Sequence, residues 1–219
     1  LLRVARDKSA EGRQNLANAI SDLFSDEHLV LSDRERALTF DILHHLVHDF
    51  ESSIRQIISE RLADWPEMPP DLANFLANDE SEIAYPILSK SQALRDENLI
   101  EVIRHRTMEH QMAIAIRETV SEGVSNALVV AGHEEVTLRL LSNPNANFSK
   151  RTMEYLVEES QRVDSFCEPI LRREDLEEGL AKKMFLWVSA AMRQFIADKY
   201  NLDEEIVEDL LEETAVEVF

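Results

Sequence analysis

Glycine is nearly missing from this chain: 219 residues contain four. Tight β-hairpin turns need residues that accept positive φ. Four glycines and six prolines therefore exclude a turn-rich β architecture. Runs that alternate apolar and polar side chains, the mark of a half-buried strand, are scarce as well. Cysteine occurs once, at Cys167, so no intramolecular disulfide can form, which fits a reducing cytoplasm. No stretch approaches the roughly 20 apolar residues of a membrane span, and no segment within these residues reads as a secretory leader. Bases are few: 23 Lys and Arg stand against 43 Asp and Glu, a formal charge of -20. Nucleic acid is held through a cationic footprint that displaces counterions, so DNA and RNA are not expected as partners. An anionic lipid surface would repel the chain too. The acidity reads first as a solvated surface and second as a face for a basic protein partner.

What is present is helix. Hydrophobic residues make up 44% of the chain, enough for one continuous core. The stretch from Glu82 to Ile103 is echoed by Glu135 to Leu156 at a constant offset of 53. Ile83 pairs with Val136, Ile87 and Leu88 with Leu140 and Leu141, and Ile103 with Leu156. Such self-similarity marks a stacked repeat protein. Asp96, Ser121 and Ser149 read as helix caps spaced 25 and 28 apart. The unit is therefore a helix pair of 25 to 28 residues, and the echo spans two units. The expected helices cover 71–77, 80–90, 96–105, 109–117, 121–131, 133–142, 149–162 and 164–173. Ahead of them come a helix from Ala10 to Phe24, a capping box at Ser32 and Glu35, and an apolar pattern from Leu38 to Leu62. The proline cluster Pro66, Pro69 and Pro70 ends that pattern. A long helix from Asp175 to Tyr200 and an acidic one from Asp203 to Val218 close the chain.

The expected fold is thus all-α: short antiparallel helix pairs stacked as an α-solenoid, closed by long C-terminal helices. It divides into N-terminal helices (1–64), short repeats (71–173) and capping helices (174–219) of one continuous domain. The chain opens at Leu1 without methionine and ends at Phe219 in an apolar pattern, so we expect a longer parent protein.

Chemistry-bearing residues are sparse. His44, His45 and His48 share a helical stretch with Asp41 and Asp49, and His44 and His48 stand at i and i+4, a spacing that can chelate a metal. The His-Glu-x-x-His pattern of metal proteases is absent, and so are a P-loop, a dinucleotide fingerprint and a nucleophile elbow. We expect no metal and no cofactor. Arg104, His105, His110, Arg117 and Arg139 form the candidate binding set, a polar and cationic stripe in an acidic chain, able to line a concave groove. The competing reading has them capping helix C-termini or bridging acids on adjacent helices. Cys167 has no basic neighbour in sequence and reads as a small buried residue.

Two stretches carry a family resemblance. Leu76-Ala77-Asn78-Asp79-Glu80-Ser81-Glu82-Ile83-Ala84-Tyr85-Pro86-Ile87-Leu88-Ser89-Lys90-Ser91 is one, and Glu109-His110-Gln111-Met112-Ala113-Ile114-Ala115-Ile116-Arg117, with Leu94-Arg95-Asp96 before it, is the other. They resemble the bacterial domain of unknown function numbered 2336, found mainly in alphaproteobacteria, over a stretch expected to run from Asp33 to Leu180. The resemblance implies a HEAT-like helical array in a bacterial cytoplasmic protein and implies no activity. The expected function is a non-enzymatic scaffold or regulatory adaptor. A protein or peptide, basic in character, would bind the repeat surface, and the C-terminal helices could pair two copies. The rival readings are an enzyme or phosphorelay component using His110 or the histidine cluster, and a nucleic-acid-binding repeat protein.

Overall fold

The computed structural model describes residues 52–203 throughout and, outside that span, residues 11, 12, 15, 18, 19, 22, 34, 38, 39, 41–44, 47, 206–208 and 210. Most of the expected first helix, the Ser32–Glu35 capping box and most of the acidic terminal helix lie outside the described residues.

Among the described residues the fold is all-α. The helices are α1 (Ser52–Leu62), α2 (Pro70–Ala77), α3 (Ser81–Lys90), α4 (Asp96–His105), α5 (Met108–Ala115), α6 (Glu122–Ala131), α7 (Glu134–Leu141), α8 (Lys150–Glu159), α9 (Cys167–Arg172), α10 (Glu178–Met184) and α11 (Ala190–Tyr200), with a 3-10 turn at Asp164–Phe166 before α9. From α2 onward they form pairs. The first helices of successive pairs begin at residues 70, 96, 122, 150 and 178, steps of 26, 26, 28 and 28. Second helices pack on second helices: α1 on α3, α3 on α5, α5 on α7, and α9 between α7 and α11. First helices do the same where α4 meets α6 and α8 meets α10. Two helix layers result, with the apolar stripes of both turned to the seam between them.

Local chemistry sets the helix ends. Pro70 occupies the first turn of α2, where a missing N–H costs nothing. Ser121, Ser149 and Ser189 cap α6, α8 and α11, each side chain accepting from the backbone N–H three residues on. α6 ends on Gly132 at φ 78, a left-handed conformation that glycine adopts without strain. Ile54, Ile58, Leu62, Leu76, Ile83, Ile87, Leu88, Ile114 and Leu128 are fully buried between the layers. Each such side chain contributes roughly 1.5–3 kcal/mol by leaving water. The 53-residue echo aligns the start of α3 with the start of α7, two pairs later.

Two expectations need correction. Asp96 is the first residue of α4, not its cap; Arg95 holds the cap position, and its N–H donates to the Asn98 side chain. The Asp96 carboxylate instead accepts from the Ser121 hydroxyl of the next pair at 2.6 Å. The long helix expected up to Tyr200 is two helices, α10 and α11, separated by Phe185–Ser189. Ser189 starts a new helix, while Phe185 is buried and the Trp187 indole donates to the Ser160 hydroxyl. The apolar spacing keeps its phase across this break, so periodicity alone reads through it. The pairing pattern therefore continues to Tyr200.

Candidate functional site

His110 and Arg117 bracket α5, and both side chains turn inward. His110 Nε2 lies 2.9 Å from the Asp79 carbonyl, and Nδ1 lies 3.0 Å from Thr107 Oγ1. A carbonyl only accepts, so Nε2–H donates to it and Nδ1 accepts the threonine hydroxyl. Both ring nitrogens are thereby engaged. The Asp79 carboxylate takes the Arg55 guanidinium, with Nη2 at 3.0 Å, and this bond holds the Arg55 pKa above its ordinary value. One turn between α2 and α3 thus anchors both α1 and α5.

Arg117 donates to the Leu88 carbonyl at 2.5 Å and to the Ser91 carbonyl at 2.7 Å, at the C-terminal end of α3. Burial pushes its pKa down. The same place in later pairs is filled in the same way. Asn143 donates to the Ala115 and Arg117 carbonyls at 3.0 and 2.8 Å. Arg173 donates to the carbonyls of Leu141, Asn143 and Ala146 at 3.3, 3.0 and 2.7 Å. Lys199 donates to the carbonyls of Leu171 and Arg173 at 2.8 and 2.5 Å. The result is a ladder of donors, each closing the orphan carbonyls of the preceding second helix. Arg173 also donates to the Asp175 carboxylate, from Nε at 2.7 Å and from Nη2 at 2.9 Å.

The other candidates face water. Arg104 and His105 stand exposed at the C-terminal end of α4, and Arg139 is exposed on α7. The five residues thus divide into a buried pair, His110 and Arg117, and three exposed side chains on two separate helices. Asp41 and His44 are exposed; His45, His48 and Asp49 lie outside the described residues. Among the described residues no group of three His, Cys, Asp or Glu side chains is placed to hold a metal, and no helix is long and apolar enough to cross a membrane. Cys167 is buried, its thiol donates to the Ser160 carbonyl at 3.5 Å, and burial raises its pKa.

A surface not anticipated from the sequence runs along the second helices. Pro86 on α3, Met112 on α5 and Leu138 on α7 are half-buried and 26 residues apart. Pro169 on α9 continues the row, and Phe195 on α11 is 41% exposed. Three clefts involve residues of these helices, and Pro169 and Phe195 line one each. One of about 430 Å³ includes Trp65, Tyr85 and Ile116. Another of about 660 Å³ includes Pro144, Pro169 and Arg172. A third of about 310 Å³ includes Leu171, Met192 and Phe195. The available signal was the 26-residue recurrence of an apolar residue beside positions already assigned to the core.

No curated protein and no solved structure matches the chain. One family model matches residues 83–218, beginning later and ending later than the stretch expected from resemblance, and so taking in α3 from Ile83 onward, α4 to α11 and the acidic segment beyond. With more than half of its length matched, the chain belongs to the family described as "Uncharacterised protein conserved in bacteria (DUF2336)".

Proposed function

We propose that this protein is a non-enzymatic scaffold or regulatory adaptor of the bacterial cytoplasm, a HEAT-like α-solenoid that binds a protein or peptide along its row of second helices. The observation that carries the reading is the apolar row Pro86, Met112, Leu138, Pro169 and Phe195 along the second helices, with Pro169 and Phe195 each lining a cleft. Apolar side chains recurring from one second helix to the next suit a partner segment that lays apolar anchors along the row. Charge selects a basic partner. Along this row Lys90 is paired with Asp64, and Arg172 with Glu168. Glu118 and Glu174, which line the clefts, stand outside those pairs. The engagement of both His110 ring nitrogens supports a structural role for that residue. No cofactor and no nucleic acid enters the proposal.

The test is capture of partners from native bacterial lysate on immobilised protein, beside the double variant Met112→Asp, Leu138→Asp. A partner retained by the parent, released by raised salt and reduced at least about tenfold by the variant supports the reading. A partner held equally by both proteins moves the site off the second helices.

A further inference from the structure

The first helices α4 and α6 meet along a groove whose chemistry departs from that of this acidic chain. Arg104, Arg106 and His133 stand around a space of about 510 Å³. No Asp or Glu lines it, although the chain carries 43 acids against 23 bases. Glu101, one turn before Arg104, and Glu134, next to His133, stay outside the lining, and Glu134 accepts the Ser165 hydroxyl at 2.8 Å. Among the described residues no ion pair engages Arg104, Arg106 or His133. Arg106 Nε donates to the Asn78 side chain at 3.1 Å, which leaves its two Nη groups for a ligand. The repeat does not impose this chemistry: 26 residues on, at the same places in the next first helix, stand Val130 and Gly132. The remaining walls are apolar, with Val130 76% exposed at the rim. Gln111 of α5 also lines the groove and is 4% exposed. Its Nε2 donates to the Ile103 carbonyl at 2.9 Å, which fixes the amide orientation, and its buried Oε1 has no partner. Gly123 leaves the α6 side open, since a Cβ there would meet nothing nearer than the Ser121 hydroxyl oxygen at 3.9 Å.

We propose that this groove binds an acidic segment of a partner protein, its Asp or Glu carboxylates meeting Arg104, Arg106 and His133 and its apolar side chains meeting Val130 and the walls beside it. Charge complementarity carries the choice of partner: exposed guanidinium groups without a carboxylate of their own attract one from outside. The net negative charge of the chain opposes an acidic partner only at long range, and salt screens it beyond about 8 Å, so the local cations decide. An N–H or hydroxyl of the segment can supply the donor that Gln111 lacks, and a buried acceptor is costly while it goes without one. Nucleic acid fits less well, because no Phe, Tyr or Trp lines the groove to stack on bases. The groove lies on the first helices and selects the charge opposite to that proposed for the second-helix row, so it stands independently of that reading.

The test is selection of short random peptides, displayed on phage, against the immobilised full chain. Recovered peptides are synthesised, labelled and titrated by fluorescence anisotropy against the parent and its variants. Arg104→Glu with Arg106→Glu reverses the charge of the groove, and Gly123→Phe fills it from α6. Gly179→Phe is the matched control, the same change at the second position of α10, where a Cβ meets nothing within 4 Å. Circular dichroism confirms that each variant keeps the parent's helix content. The selection should yield peptides that carry Asp or Glu with apolar residues and no Lys or Arg. These should bind Gly179→Phe like the parent and both groove variants at least about tenfold more weakly. Met112→Asp with Leu138→Asp, which alters the second-helix row, should still bind them, so either site can fail without the other. The proposal is overturned if no recovered peptide is acidic, or if the acidic ones bind the groove variants like the parent. A single-stranded oligonucleotide that occupies the groove more tightly than they do overturns it as well.

Discussion

Arg117 is a buried cation served by carbonyl oxygens instead of a carboxylate. The arrangement is stable because the last turn of α3 concentrates partial negative charge at the Leu88 and Ser91 carbonyls. Arg117→Ala strands both acceptors, and urea unfolding should register a loss of about 2–4 kcal/mol. Arg117→Lys should recover most of it, since Lys199 already fills the equivalent place with two carbonyl bonds. The sequence left Arg117 divided between ligand binding and helix capping, because a cation at a helix end serves either. What decides it is register. Ile114, Leu140, Ile170 and Ile196 are all buried, and each is followed three residues later by a ladder donor: Arg117, Asn143, Arg173 or Lys199. Cys167 gives a second check at this scale. Its thiol pKa is raised by burial, so the fold disfavours the thiolate. Stability contributed by the neutral thiol is intact below the free thiol value of about 8.5 and is lost as pH rises above it. A thiol-specific disulfide reagent at neutral pH should modify Cys167 slowly in the native protein and rapidly in urea.

The helices themselves were largely legible, since proline clusters, serine caps and apolar spacing report local physics. Ser121 and Ser149 announce α6 and α8 in the sequence and cap them in the structure. Ser189 carries the same signal. Leu180, Met184, Val188 and Ile196 keep helical spacing on both sides of it, so periodicity reads through the break, where Phe185 is buried. Replacing Ser121, Ser149 or Ser189 with alanine should each cost about 1 kcal/mol in thermal or urea unfolding. Gly132→Ala should cost a similar amount, about 1 kcal/mol, through its left-handed backbone alone. No atom lies closer than 3.9 Å to the added methyl, so sterics contribute nothing.

At the scale of the molecule each pair touches mainly its neighbours, so stability sums over pairs and interfaces instead of resting on one centre. Hydrogen exchange should resolve this. Arg117→Ala should raise exchange in α3 and α5 while leaving α10 and α11 near parental rates, a pattern that all-or-none unfolding does not produce. The acid-free groove between α4 and α6 could not be read at this scale from sequence. Arg104 and His133 are separated by a whole helix pair, and only stacking brings them to one space. The ladder also has a direction. Asn143, Arg173 and Lys199 each reach back by about 26 to 32 residues to the carbonyls they close. On the ribosome, a newly made pair therefore keeps open carbonyls until its successor has emerged. At about 5–20 residues per second that wait is roughly one to five seconds. The growing chain seals from its N-terminal side, and its single unsealed end travels with the point of synthesis, which is where a nascent-chain chaperone would find it.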